Sequence, residues 1–278
     1  MRACLSNSLK SRFPAFAGKA ALAALTLALL VAKPHPALAQ TRPVPPALAR
    51  GRRAIEAAAR AAGGSTIAEV KTLRVAETSQ VISPSGSITY EETYLIAYPS
   101  RIHADLTILK QHLRQVYDGR NGWMASAKAV ELLPARLVQN VRRRILVNEG
   151  IGIYRAVLRG GESAEWVGEE TVESRQFVAL EWKSEIGPIR LYIDPQTRML
   201  AGARYTATTD AGSIDTVEIW NDFRPVAGLK LPFHVVTYQR KQKVMDVAVR
   251  DIRVNVAPDP KSFAKPKPVR LPRQSSQK

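Results

Sequence analysis

The side chains that most often carry chemistry are few in this sequence and are widely spaced. Beyond residue 39 the histidines are His103, His112 and His234, and the single cysteine, Cys4, lies upstream of them. No two of these histidines stand two or four positions apart, the spacing that places two metal ligands on one face of a strand or helix. The sequence therefore predicts no metal site, and one cysteine excludes a disulfide within the chain.

Three short motifs imitate catalytic or cofactor-binding patterns without completing them. Residues 161–165 read Gly-Glu-Ser-Ala-Glu and lack the final glycine that lets a nucleophile-bearing strand turn sharply into a helix. The segment that contains Gly150 and Gly152 has no third glycine at the position that a dinucleotide-binding loop requires. The adjacent acids Glu169 and Glu170 are typical of a solvated turn rather than of a general acid/base pair. We therefore expect neither an enzyme nor a cofactor. An enzymatic function would require polar groups that only folding brings together.

Residues 1–39 have the features of a secretory signal. A basic start is followed by the apolar run Ala20–Ala32, two prolines and the small-x-small sequence Ala37-Leu38-Ala39. The apolar run has 13 residues, fewer than the roughly 20 that span a bilayer. We expect cleavage after Ala39 and a soluble periplasmic protein. The alternative is an N-terminal anchor helix that is never cleaved.

The chain is strongly basic, with 41 lysines and arginines against 24 acidic residues and a net charge of +17. Five of the basic residues and Cys4 lie in the signal, so the mature protein would carry +12 and no thiol. Such a positive charge favours binding to nucleic acid. This protein, however, is expected to be exported, and its basic residues rarely alternate with aromatic ones, so anionic surfaces of the cell envelope are the more accessible partner. We therefore expect no nucleic-acid partner.

Hydrophobic periodicity divides residues 40–256 into strands and two helical parts. Pro46 and Gly63 suit the start and end of a helix over residues 47–62. Apolar residues recur at three- and four-residue steps in a helical insert over about residues 127–158. Elsewhere hydrophobic residues alternate with a period of two, the segments are joined by short turns, and strands do not alternate with helices as in βαβ units. Roughly ten such strands predict a single, mainly β (α+β) domain: a large curved antiparallel sheet with helical caps.

Two pairs of segments resemble a known family. Residues 94–104 and 116–124, a strand–proline–strand unit and a hairpin with Asp-Gly and Trp, are similar to the periplasmic lipoprotein carriers of the LolA/LolB-like superfamily. Residues 191–200 and 221–233 are similar to the C-terminal half of bacterial outer-membrane lipoprotein-sorting proteins. The resemblance implies an unclosed β-barrel of about eleven antiparallel strands covered by helices, whose concave apolar interior holds acyl chains.

The chain departs from the carriers at two positions. Tyr98 stands where they place an arginine directly before the proline, and Arg198 replaces the usual glycine of a turn. Arg101, two residues beyond the proline, is not at the matching position. These differences favour a related lipid-binding or envelope-surface protein over a lipoprotein shuttle.

The resemblance, together with the expected curvature of the sheet, places acyl chains of a lipid or lipid-anchored protein against inward-facing side chains. The residues expected to line this cavity are Tyr94, Ile96, Tyr98, Leu106, Trp123, Leu191, Ile193, Tyr205, Ile219 and Phe233. Because small barrels also fill their interiors, a packed core is an equal alternative. We expect a monomer.

Four arginines are predicted to contact lipid headgroups or an anionic membrane surface. These residues are Arg101, Arg142, Arg143 and Arg144. The last three lie in the helical insert, which the resemblance places over the cavity mouth, and each basic residue near such a surface contributes about 1 kcal/mol. The alternative is that the charge is spread evenly and only aids solubility.

The C-terminal residues 257–278 carry five prolines and six basic residues against one acid. This composition predicts an extended or disordered tail. It also supports a second functional hypothesis, a non-catalytic adapter of the cell envelope. In that case the tail and the arginine run would contact a protein partner, and the sheet would be a scaffold without a small ligand.

Overall fold

The structure is a computed structural model that describes residues 45–159, 164–209 and 212–269. The predicted signal, the cleavage site after Ala39 and residues 161–163 of the Gly-Glu-Ser-Ala-Glu motif lie outside the described residues. The helices are α1 Pro46–Ala62, α2 Thr66–Glu69, α3 Ala135–Val147 and α4 Ile151–Leu158, with a 3-10 turn Asn148–Gly150 between the last two.

The described residues form thirteen strands in one antiparallel sheet. The strands are β1 Thr72–Ser83, β2 Gly86–Ala97, β3 Arg101–Ile108, β4 Gln111–Tyr117, β5 Gly122–Ala125, β6 Val130–Leu132, β7 Ala164–Val172, β8 Arg175–Ser184, β9 Gly187–Ile193, β10 Leu200–Thr209, β11 Gly212–Val226, β12 Leu229–Gln239 and β13 Gln242–Val254. The predicted mainly β architecture with helical caps is confirmed, with thirteen strands in place of about eleven.

The order of the strands explains how the sheet is left open. From one edge to the other it runs β6-β5-β4-β3-β2-β1-β13-β12-β11-β10-β9-β8-β7, so the pairing of β1 with β13 joins the two halves of the chain. The two edge strands, β6 and β7, are consecutive in sequence and are connected through α3 and α4. Helix α3 contacts β3 in one half and β10 in the other. The helical insert therefore bridges the concave face of an unclosed sheet.

The predicted insert over about residues 127–158 is helical only in its later part. Residues Val130–Leu132 form the edge strand β6, paired with β5, and α3 begins at Ala135. Pro134 precedes the helix, and its fixed backbone suits a helix start but cannot continue an earlier one. The apolar periodicity of this stretch thus belongs to two kinds of element.

Helix α1 packs on the concave side through its small and apolar residues. Ile55, Ala58, Ala59 and Ala62 are buried, and the helix contacts β7, β10 and β12. Gly51 allows the closest approach, since an added Cβ would lie 2.0 Å from the carbonyl oxygen of Ala164. The helix therefore lies against the backbone of β7 at a distance that only glycine permits.

The convex face carries a second, smaller core. Its buried members are Phe177, Ala179, Tyr192, Ala201 and Ile219. Apolar residues thus occur on both faces of the sheet, and strand hydrophobicity alone does not identify the concave side.

The tail is predicted to be extended or disordered from residue 257, and its described part, residues 257–269, has no helix or strand and contacts the domain. Phe263 is buried under the guanidinium of Arg101, whose Cζ lies 4.7 Å from the ring centroid. The carbonyl oxygen of Ser262 accepts a hydrogen bond from Nδ1 of His103 at 2.7 Å, and the amide of Val269 donates to the carbonyl of Ser126 at 2.9 Å. One buried ring and two hydrogen bonds therefore connect the described part of the tail to the domain.

Candidate functional site

A cavity of about 400 Å³ lies between the concave face of the sheet and α3. Four glutamates face it, which we call the acidic cluster: Glu77, Glu92, Glu149 and Glu218. Its aromatic lining residues are Tyr90, Tyr94, Tyr205 and Trp220. Its apolar lining residues include Leu106, Met124, Val235, Met245 and Val247. The interior is therefore amphipathic, whereas the sequence predicted an apolar cavity.

Glu77 and Glu92 stand directly opposite each other on β1 and β2. Both are buried, with 7% and 3% of their surface exposed. Burial raises the pKa of Glu77 to about 8, and the nearby carboxylates of Glu92 and Glu149 act in the same direction, against the opposing charge of Arg144. Two like charges facing each other in a low-dielectric site disfavour double ionisation, so Glu77 retains its proton near neutral pH.

Arg144 supplies the positive charge of the acidic cluster. Its Nη1 donates to Oε1 of Glu92 at 2.7 Å, and its Cζ lies 4.4 Å from the centroid of the Tyr94 ring. Arg143, the preceding residue on α3, donates to Oδ1 of Asn140 at 2.9 Å and lies 5.2 Å from the ring of Tyr205. Both guanidinium groups are therefore turned into the cavity.

Glu149 is held in the cavity by an unusual backbone conformation. It lies at the break between α3 and α4 with φ +54°, a left-handed value that is costly for a residue with a side chain. Its Oε1 accepts a hydrogen bond from Tyr94 Oη at 2.5 Å, while Oε2 is buried without a hydrogen-bond partner among the described residues. Burial raises its pKa to about 7. A strained, buried carboxyl with a free acceptor is typical of a functional position.

The opposite side of the cavity repeats the pairing of tyrosine with glutamate. Tyr205 Oη donates to Oε1 of Glu218 at 2.5 Å, and Trp220 Nε1 donates to the other oxygen at 3.5 Å. Burial raises the pKa of Glu218. Next to it in the sheet, the buried Thr237 Oγ1 has no partner among the described residues. The lining therefore offers hydrogen-bonding groups that are not yet used.

Apolar side chains lie directly beside these polar groups. Leu106 is opposite Glu92 in the sheet, and Met245 is opposite Thr237. On the same face of β1 as Glu77, Val81 pairs with Ile88 of β2, and these two are 38% and 42% exposed. The concave face thus continues as an apolar surface toward solvent at the hairpin end of the sheet. The arrangement suits hydrogen bonding to a polar group whose remainder is apolar.

The structure separates the ten predicted cavity residues into several groups. Tyr94, Leu106 and Tyr205 line the cavity, and Tyr98 lines a different one. Residues that pack in the main core without lining the cavity are Ile96, Leu191, Ile193 and, partly buried, Phe233. Trp123 and Ile219 are on the convex side, because their strand neighbours Met124, Glu218 and Trp220 line the cavity and successive side chains alternate.

The predicted headgroup arginines do not form one outward rim. Arg143 and Arg144 point into the cavity, while Arg142 pairs with Glu185 at 2.9 Å on the other side of α3. Arg101 is exposed and covers Phe263. Consecutive helical residues are about 100° apart, so a run of three arginines necessarily spreads over different faces of α3.

The acidic cluster was missed in the sequence, although it leaves a signal there. The inward positions of β1 read Leu73, Val75, Glu77 and Ser79, and those of β2 include Glu92 between Tyr90 and Tyr94. A glutamate on the apolar side of an alternating strand is a buried charge, which is rare unless it is paired or functional. Glu149 leaves no comparable pattern, because it is placed by a helix break.

Two further findings concern the described residues. Within residues 45–159, 164–209 and 212–269, no three histidine, cysteine, aspartate or glutamate side chains are grouped so as to hold a metal ion. In the same ranges, every helix is too short or too polar to cross a bilayer.

No known family profile and no curated protein sequence matches this chain. Solved structures do match. A domain from Vibrio parahaemolyticus assigned to the outer membrane lipoprotein-sorting proteins superimposes with a TM-score of 0.51 at 8% identity, over 78% of this chain and 97% of its own. A DUF1329 family protein from Desulfovibrio piger gives 0.52 at 10% identity, over 77% and 96% of the two chains.

A LolA superfamily protein from Nitrosomonas europaea superimposes with a TM-score of 0.51 at 14% identity, over 77% of this chain and 97% of its own. These likenesses cover nearly the whole length of each relative. At such low identity they concern the fold, and they agree with the resemblance that the strand and turn segments show in the sequence. The chain has the fold of the LolA-like lipoprotein-sorting proteins.

Proposed function

We propose that this protein is a non-enzymatic binding protein of the cell envelope that takes up one amphipathic molecule, a lipid or the lipid anchor of a protein. The ligand would occupy the cavity between the sheet and α3. The fold of the lipoprotein-sorting proteins supports this assignment in general terms. The secretory features of residues 1–39 support an exported, periplasmic location.

The observation that carries the proposal is the mixed lining of the cavity. At about 400 Å³ it falls within the roughly 300–1,000 Å³ of small-molecule pockets, so it suits one molecule of modest size. A pure hydrocarbon would leave Glu149 Oε2 and Thr237 Oγ1 unpaired, at a cost of about 1–3 kcal/mol for each group. A purely polar ligand would meet Leu106, Met124 and Met245 instead. An amphipathic ligand satisfies both sets of side chains.

Mass spectrometry of the exported protein, purified without detergent, tests the proposal. We expect one bound lipid-like mass per chain, released on denaturation. Ala207, which lines the cavity, provides the variant: Ala207→Trp should fill the space and displace the ligand. Val167→Trp is the matched control, because Val167 is 48% exposed on β7.

The proposal fails if the wild-type protein carries no bound molecule, or if the Ala207→Trp protein retains it as well as the control does. Recovery of a lipid-anchored protein together with its anchor would support the proposal. Recovery of a partner without any lipid would instead favour the adapter hypothesis. The intact mass of the chain recovered from a periplasmic extract tests the location, with a chain that begins at Gln40, or at its cyclised pyroglutamate form, expected.

A further inference from the structure

A second cavity, of about 750 Å³, lies on the other side of α3. It is enclosed by α3, α4, the turn between β2 and β3, and the β8–β9 hairpin. Its charged lining residues are Arg142, Arg155, Arg159 and Glu185. Since Glu185 is paired with Arg142, the other two guanidinium groups leave this cavity positively charged.

Three lining residues carry buried hydrogen-bonding atoms without a partner among the described residues. These atoms are Tyr98 Oη, Arg155 Nε and Trp182 Nε1. Trp182 is only 1% exposed, so its indole N–H is withdrawn from bulk solvent. Native proteins leave few buried polar atoms unpaired, and three on residues that line one cavity call for an explanation.

The three atoms share a chemical character. An indole N–H and a guanidinium N–H can only donate, and a phenol O–H can donate, so together they suit a group rich in acceptors. Arg155 is held in place, because its Nη1 donates to the carbonyls of Ile67, Ala68 and Val70 at 3.2, 2.9 and 2.6 Å. Burial lowers the pKa of Arg155, and repulsion from the Arg159 cation, which lines the same cavity, lowers it further. An anion would relieve that repulsion.

We propose that this second cavity is a binding site for an oxyanion, a phosphate or carboxylate group, held by Tyr98, Arg155, Arg159 and Trp182. The anion would come either from a small solute or from the headgroup of an anionic lipid. The site lies across α3 from the cavity of the proposed function and has its own lining residues, although the Glu149 charge of that first cavity reaches Tyr98 and, after burial, raises its pKa.

The NMR signal of the Trp182 indole N–H, observed in a ¹⁵N-labelled mature chain, reports directly on the site. Inorganic phosphate is added at constant ionic strength, and we expect a saturable shift of this signal. Tyr98→Phe should weaken binding about tenfold without loss of folding stability, because the hydroxyl has no partner to lose. Arg159→Gln should weaken it similarly. Arg253→Gln removes the same charge from β13 and should leave binding unchanged.

A parallel titration with a short-chain phosphatidylglycerol below its micelle concentration distinguishes the two sources. Binding of both ligands identifies the phosphate group as sufficient, and binding of the lipid alone identifies a headgroup site. The proposal is overturned if neither ligand shifts the Trp182 signal saturably, or if Tyr98→Phe and Arg159→Gln titrate like the wild type. The Ala207→Trp variant, which fills the first cavity, should retain binding, so failure of one proposal is distinguishable from failure of the other.

Discussion

The hydroxyl of Tyr94 donates to Oε1 of Glu149 at 2.5 Å and thereby joins strand β2 to the break between α3 and α4. The contact connects residues 55 positions apart and crosses the interior of the open sheet. It fixes one oxygen of Glu149 and leaves the other free inside the cavity. The helical cap is therefore held to the sheet by the same side chain that offers the cavity an unpaired carboxyl oxygen.

The raised pKa values of Glu77 and Glu149 predict a pH-dependent stability. The folded chain holds these protons up to about pH 8 and 7, whereas the ordinary value is 4.5. As pH rises above about 4.5 the unfolded chain releases its protons first, so the free energy of unfolding should fall until about pH 8. The limiting slope is about 1.4 kcal/mol per pH unit for each group. Urea unfolding at several pH values measures it.

A double variant isolates this effect from the other charged and polar groups that face the two carboxyls, which include Glu92, Glu218, Tyr94 and Arg144. Replacing Glu77 and Glu149 by Gln should flatten the pH dependence relative to the wild type. Glu91→Gln is the control, because Glu91 is a neighbouring glutamate on β2 that is exposed and paired with Arg250. Equal slopes in the wild type and the double variant would contradict the assignment.

Arg144→Met should destabilise the protein by about 3 kcal/mol, because Glu92 would remain buried without its counter-charge. Arg142→Gln, two residues earlier on the same helix, should cost less than about 1 kcal/mol, since its pair with Glu185 is largely exposed. Adding Glu92→Gln to Arg144→Met should restore most of the loss. Chemical denaturation gives the free energy of unfolding of the two single variants and the double variant. An equal decrease for Arg144→Met and Arg142→Gln would show that Arg144 does not neutralise a buried carboxylate.

Gly51→Ala should destabilise the packing of α1 although alanine favours helices. In an isolated helix the change would stabilise by about 1 kcal/mol. Here the new Cβ would lie 2.0 Å from the Ala164 carbonyl oxygen, so the helix must move away from β7. We expect a lower thermal midpoint. Arg53→Ala, on the exposed face of the same helix, should leave it nearly unchanged, and a gain in stability from Gly51→Ala would refute the close approach.

Phe263→Ala tests the packing of the tail. The ring is buried to 6% exposure, and removal of a buried phenylalanine costs about 3 kcal/mol. Lys265→Ala, two residues further on and exposed, should have no measurable effect. If both variants have the same free energy of unfolding as the wild type in chemical denaturation, the tail does not contribute to the stability of the fold.

The sequence predicts the class of fold because a period of two and short turns recur over most of its length. Pro46 and Gly63 also indicate where the first helix begins and ends. The direction in which a strand residue points is harder to predict, because the convex face has its own apolar cluster. Trp123 and Ile219 are predicted to face inward, yet they alternate with the residues that do. Their face depends on strand register, which pairing partners determine.

The site was less predictable than the fold for a similar reason. Glu77 and Glu92 are distant from Glu149 and Glu218 in the sequence, and only sheet pairing and the helical bridge bring them together. The position of Glu149 depends on a left-handed residue between two helices, which no residue pattern signalled. Arg143 and Arg144 look like a surface charge run until the position of α3 over the concave face is known.

Quenching of Trp220 tests the central claim, that an amphipathic molecule occupies the cavity beneath α3. Trp220 lines this cavity and Trp123 faces away from it, as its neighbour Met124 lines the same space. The measurement is the tryptophan fluorescence of the delipidated protein during titration with a lysophospholipid brominated on its acyl chain, kept below its micelle concentration. We predict saturable one-site quenching that Trp220→Phe largely removes and Trp123→Phe preserves. Absence of saturable quenching, or equal quenching in the two variants, would contradict the account.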